Sequence, residues 1–249
     1  MRFRKFMHKR GCDRIRIPEY VNFIILIYWV ISTLVLSMGT EISAIDHWGP
    51  QTVLQLPPPR LDGVASLEKT LQLRRSIRRY SADPLQLTDI AQVLWAAQGV
   101  TTPDGRRTSP SAGALYPLEI YLISGQLPDL NAGVYRYQPM GHKLLRLFTG
   151  DLRTKLSQAG LHQEAIAKAP VTIAIFAVFE RTTTKYGDRG VRYVHLEAGH
   201  AAQNICLQAV ALGLGSVAIG AFRDGEVQRL IGVETIERPL YLIPIGTSE

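Results

Sequence analysis

Three short stretches carry residue types that could do chemistry together. Arg74, Arg75, Ser76 and Arg78 offer fixed positive charge and a hydroxyl donor. Guanidinium groups hold phosphate through forked, charge-assisted hydrogen bonds. Ser111, Ala112, Gly113 and Ala114 form a run of small residues, where a flat ring can lie close to the main chain. Lys185 and Tyr186 stand side by side in what reads as a glycine-flanked turn, as a proton-transfer pair would. A phosphorylated, planar redox group requires surfaces of these kinds. Each feature alone also suits a plainer role: a solvated basic helix end, an ordinary turn, or a surface lysine beside a packed tyrosine.

Other chemistries find less support. The P-loop pattern is absent, and Gly213-Leu-Gly215 follows a helical pattern and enters a strand, the wrong setting for a dinucleotide fingerprint. His195 and His200 are five apart, which rotates them about 140° from one another on a helix, and no H-E-x-x-H pattern occurs. No metal site is expected. The two cysteines, Cys12 and Cys206, form no metal-binding spacing. The net charge of +7 is concentrated at the start, where residues 1–16 hold seven Lys/Arg and one acid. The rest is close to neutral and shows no basic stripe, so nucleic acid is not an expected partner.

The elements that must position these residues can be read from spacing. Residues 1–45 combine a basic arm with an uncharged run, Val21 to Gly39, roughly 28 Å long as a helix. Residues 21–39 are expected to anchor the chain in a membrane or to act as an export signal. The preceding positive charges place the remainder outside the cytoplasm. A start codon assigned too far upstream would instead leave a cytoplasmic protein. Residues 46–65 read as a stiff, proline-rich linker and 66–249 as the folded domain. Ser66 caps a helix with Leu67, Leu71 and Leu73 on one side, and Thr88 or Asp89 caps a second that stops at Gly99. Strands are expected at 118–124, 133–137, 143–147, 171–179, 216–219 and 240–245. An alanine-rich helix covers 191–212.

In order along the chain, these pieces resemble the nitroreductase superfamily, and within it the SagB/ThcOx-type dehydrogenase branch. The stretches that carry the resemblance are LPPPRLDG at 56–63, RRSIR at 74–78, LWAAQG at 94–99, PSAGALYP at 110–117, KYGDRG at 185–190, LEAGHAAQN at 196–204, LGLGS at 212–216 and PLYLIP at 239–244. The resemblance implies an α+β fold, a mixed sheet flanked by helices, working as an intertwined homodimer with FMN at the subunit interface. It implies that Arg74, Arg75, Ser76, Arg78, Ser111, Ala112, Gly113, Ala114, Gly220 and Ala221 contact the cofactor. In azoline-oxidising members the lysine–tyrosine pair is catalytic, which carries over to Lys185 and Tyr186. The implied activity is FMN-dependent hydride transfer through flavin N5, on a small-molecule or peptide substrate. The alternatives are a non-catalytic, membrane-tethered flavin-binding protein, and a cytoplasmic azoline oxidase if the start is misplaced. Many relatives carry a basic residue just after the last Pro-x-Gly, where this chain reads Gly246-Thr247-Ser248-Glu249.

Overall fold

A computed structural model describes residues 52–125 and 127–249. The basic arm, the apolar run at 21–39 and most of the first half of the expected linker lie outside the described residues. No helix among the described residues is long and apolar enough to cross a membrane.

Seven strands form one sheet. They are β1 (Val53–Gln55), β2 (Leu118–Ser124), β3 (Gly133–Gln138), β4 (Lys143–Thr149), β5 (Val171–Val178), β6 (Leu214–Ser216) and β7 (Glu237–Thr247). Their spatial order is β1-β4-β3-β2-β5-β7-β6. Every ladder between them is antiparallel, and the parallel pairing is an isolated bridge from Ser76 to Ser216. The helices are α1 (Leu67–Leu73), α2 (Leu87–Gln98), α3 (Arg153–Ala159), α4 (Glu164–Lys168), α5 (Glu180–Tyr186), α6 (Arg189–Ala211) and α7 (Asp224–Ile231).

The apolar run of β5 follows from burial on both faces. Val171, Ile173, Ile175 and Ala177 point into a core with Ile90, Val93 and Leu94 of α2 and Val194, Ala198 and Ala201 of α6. Ala174 and Phe176 point the other way, toward Leu156 of α3, Ile166 of α4 and Val227 of α7. All eight β5 residues are buried. The fold is therefore α+β, with helices on both faces of the sheet.

Several boundaries differ from the sequence reading. The helix α2 starts earlier than expected, with Gln86 at its N-cap and no side-chain cap, whereas Ser66 does cap α1 by accepting from the Lys69 amide at 3.2 Å. The late short strand sits at 214–216, where it pairs with β7 from Thr247 to Ile245, and Ile219 makes a separate bridge to Leu242. Strand β1 arises inside the expected linker by pairing with β4. The Pro-rich stretch is tied down as well. Leu56 is buried and its amide donates to His142 O, while the Arg60 amide donates to Gln92 Oε1 at 2.7 Å. Of the leucines expected on one side of α1, Leu67 and Leu71 share a face, Leu73 is turned about 200° from Leu71, and all three are exposed. Leu67 is 61% and Leu71 52% exposed, and Thr70 is the buried residue of the helix.

Candidate active site

The segment after α1 is stitched along the end of the sheet. The Ile77 amide donates to Ser216 O at 2.9 Å, and the Ser81 amide to Thr247 O at 2.8 Å. The Tyr80 hydroxyl reaches Ile77 O at 3.0 Å and Pro244 O at 3.2 Å. This places Arg74 and Ser76 in a cleft of about 170 Å³ with Gly199, Gln203 and Cys206 of α6, and with Ser216, Val217, Ala218 and Tyr241. Among the described residues, no acid pairs with Arg74, Arg75 or Arg78. Arg75 and Arg78 are exposed and lie outside the lining. Arg75 folds back on the carbonyls of Gln72 and Arg74, at 3.0 and 2.7 Å. Gly220 and Ala221 follow Ala218 at the surface, and Ala221 O accepts from Gln163 Nε2.

The second group forms elsewhere. Lys185 and Tyr186 occupy the last turn of α5, not a turn of their own, and Gly187 caps that helix at φ 57°. Their tips converge on the small-residue loop. A Cβ built on Gly113 would stand 2.8 Å from Tyr186 Oη and 3.1 Å from Lys185 Nζ. The loop itself is a single 3-10 turn, Ala112–Ala114, in which Gly113 adopts φ 65°. Ala114 and Tyr116 also take positive φ, at 54° and 46°. Such strain persists where neighbours over-determine it. Arg181, one turn before Lys185, donates to Tyr116 O at 3.1 Å and pairs with Glu119. Arg107 lies 4.3 Å from the centre of the Tyr116 ring.

Sequence reasoning missed the support beneath this loop. Glu197 of α6 is 3% exposed. Its carboxyl accepts from Gln98 Nε2 at 3.5 Å, and Arg107 donates to Gln98 Oε1 at 3.0 Å. Burial pushes the Glu197 carboxyl up to about 7, against the opposing pull of Ser111, Gln98 and Arg107. The available signal was an acid on the inward face of an apolar helix, between Val194 and Ala201. His195 is exposed on α6 and meets Phe179 edge-on at 5.4 Å.

Helix α6 separates the two groups. Tyr193, which touches the Tyr186 ring, and Glu197 share one face at i and i+4 spacing. Gly199, Gln203 and Cys206 stand roughly 180–240° around the axis from Glu197. The Arg74 cleft and the Lys185–Tyr186 group therefore lie on opposite sides of one helix.

A sheet covered on both faces and a basic segment docked beside its last strand fit a class of redox enzyme. The chain belongs to the nitroreductase family, whose family model matches residues 71–247. It is 47% identical over 180 residues to MJ1384, a nitroreductase-family protein of Methanocaldococcus jannaschii, covering 72% of this chain and 90% of the relative. It is 31% identical over 134 residues to the microcin B17-processing protein McbC of Escherichia coli, covering 52% of this chain and 49% of McbC. Among solved structures, a nitroreductase-family protein from Ralstonia eutropha JMP134 superposes with a TM-score of 0.70 at 30% identity, covering 79% of this chain and 90% of that one. The E. coli microcin synthetase McbBCD complex with truncated pro-MccB17 bound matches with a TM-score of 0.62 at 25% identity, over 78% and 77% of the two chains. The likeness to McbC and to the trifolitoxin proteins TfxC and TfxB agrees with the SagB-type branch.

Proposed function

We propose that this nitroreductase-family oxidoreductase is an FMN-dependent dehydrogenase whose site is completed by a second copy of the chain. The observation that carries the reading is the division of the site by α6. One copy presents Arg74 and Ser76 on one side of the helix, and Lys185, Tyr186 and Gly113 on the other. A cleft of about 170 Å³ is smaller than the roughly 300 Å³ at which ligand pockets begin. It is half a site, and walls from another subunit would make it whole. The intertwined homodimer implied by the sequence resemblance has this property.

The residues present suit FMN. Arg74, Arg75 and Arg78 are guanidinium groups with no acid partner among the described residues, suited to a phosphate or to the electron-rich edge of the ring. Gly199 and Gly220 have open space where a Cβ would stand, so a ring can approach their backbone. When bound, FMN supplies a two-electron acceptor that takes hydride at N5. The protein does the rest. Ser111–Ala114 orients the substrate, and the Tyr186 hydroxyl with the Lys185 amine holds or moves the proton released there. Loss of a hydride and a proton from a C–N bond is the matching reaction, and a small cyclised compound or peptide is the substrate class. The names of the microcin- and trifolitoxin-processing relatives support that choice. Residues 21–39 support a location at or beyond a membrane, which cell fractionation and N-terminal mass spectrometry of the chain would test.

The deciding experiment is refolding with FMN, followed by gel filtration and absorption spectroscopy. A yellow dimer is expected. Arg74→Glu should release the chromophore, with affinity down at least tenfold for one lost charge-assisted contact. A colourless wild-type protein would end the proposal.

A further inference from the structure

Tyr116 ends the small-residue loop at φ 46°, a conformation that its side chain disfavours. All three of its polar groups are engaged. Its amide donates to Ser111 Oγ at 2.9 Å, and its hydroxyl accepts from the Arg107 amide at 3.3 Å. Both partners belong to the same stretch of chain, so these bonds give the loop its shape but not its place. The third bond reaches another element. Tyr116 O accepts from Arg181 Nη1 of α5 at 3.1 Å.

The other arm of that guanidinium is fixed as well. Arg181 Nη2 donates to Glu119 Oε1 of β2 at 2.5 Å. The second oxygen of Glu119 is taken by Arg136 of β3, from Nε at 3.0 Å and Nη2 at 2.8 Å. The planar fork of Arg181 therefore spans the loop and the sheet.

Helix α5 needs such a tie. It has seven residues, of which Thr182 is buried. Its Thr182–Thr183 side rests on Gly190 of α6, where a Cβ would meet Thr183 Cα at 2.8 Å. Tyr186 leans the same way, edge-on to the Tyr193 ring at 5.2 Å. Arg181 and Lys185 stand one turn apart on the remaining side, about 40° from each other. Arg181 grips the end of the loop, and Lys185 lies at its centre, beside Gly113.

We propose that Arg181 is a positioning residue: its fork ties the Tyr116 carbonyl to α5, so that Gly113 meets Lys185 Nζ and Tyr186 Oη. Glu119, oriented by Arg136, holds the guanidinium in place. The inference rests on the proposed function for what the Lys185–Tyr186 pair does, and deepens it by naming what assembles the pair. Arg181 contributes little to global stability. Its side chain is 39% exposed, and Glu119 keeps Arg136 when Arg181 is lost.

Two measurements on the full chain test this. The first needs no flavin. Amide exchange of peptides covering 111–116 should be about tenfold faster in Arg181→Met than in wild type, the loss expected of one charge-assisted hydrogen bond. Peptides from β5 should keep their wild-type rates, and the urea midpoint should hardly move. Arg181→Lys keeps the charge without the fork and should exchange as Arg181→Met does. Wild-type protection in either variant would overturn the proposal, as would equal acceleration in β5. The second measurement uses the FMN-loaded protein and a short peptide carrying one thiazoline ring, with bleaching of the bound flavin followed in the absence of air. Arg181→Met should slow bleaching about tenfold at unchanged FMN affinity. In a Lys185→Met/Tyr186→Phe background the same change should cost no more than about twofold, because the groups it positions are gone. Losses that multiply would reduce Arg181 to a structural role and overturn the proposal. A chain with the expected exchange pattern that binds no FMN would sink the proposed function and leave the tie between loop and helix standing. One that binds FMN but is not bleached would sink the substrate class alone.

Discussion

Gly113 is where residue identity matters most. Its φ of 65° and the 2.8 Å approach of Tyr186 Oη to a built Cβ exclude any side chain on two separate grounds. Gly113→Ala should therefore push Tyr186 and Lys185 away from the loop. We expect a fall in turnover of at least tenfold with a stability loss of only about 1–2 kcal/mol, the cost of a left-handed alanine. Steady-state rates and urea midpoints on the same preparation would show both. Tyr186→Phe and Lys185→Met act on the same spot without disturbing the backbone. They should leave FMN binding near wild type and slow turnover by about 100-fold, the lower end for a lost acid–base group. An unchanged rate would make the pair bystanders.

At the scale of elements, the decisive piece is the irregular segment between α1 and α2. It holds Arg74 and Ser76 at their cleft although it belongs to no helix or strand. Its anchors are two backbone bonds to β6 and β7 and the Tyr80 hydroxyl shared between Ile77 O and Pro244 O. The ring of Tyr80 also packs on Gly246, where a Cβ would meet it at 2.8 Å. Tyr80→Phe keeps that packing and removes the donor. It should cost about 1–2 kcal/mol in urea unfolding and weaken FMN more than stability alone explains, because Arg74 loses its fixed place. An FMN affinity equal to wild type would mean that the backbone bonds suffice. The open leucine face of α1 belongs to this scale too: Ser66 and the apolar spacing were legible, but what the stripe faces was not.

For the whole molecule, the buried Glu197 links pH to stability. Its carboxyl lies above its ordinary 4.5, at about 7, so the native state binds this proton more tightly than the unfolded chain. Its contribution is fully present below about pH 4.5 and is lost as pH rises through about 7. The full difference amounts to about 3 kcal/mol. Glu237, raised by burial in the same direction, adds to the slope, and Asp151, held low by Arg153, opposes it. Comparing wild type with Glu197→Gln across that interval isolates the single group. Urea midpoints that run parallel in the two proteins would show that Glu197 does not titrate there. Global stability of the wild type should fall with rising pH across that interval, and that of Glu197→Gln should fall less.

Local order was readable from the chain alone. Strand β2 and the starts of β3 and β4 fall where alternation and turn residues put them, because each is governed by neighbours in sequence. The ordered set of RRSIR, PSAGALYP and KYGDRG also sufficed to name the family. Glu197 escaped notice because an acid's role depends on who surrounds it, and Gln98, Arg107 and Ser111 arrive from about 86 to 99 positions away. Only tertiary structure could bring Lys185 and Tyr186 onto Gly113 and set the Arg74 cleft on the far side of α6. Those relations follow from how helices and strands pack across the sheet, a long-range property that no window of adjacent residues contains.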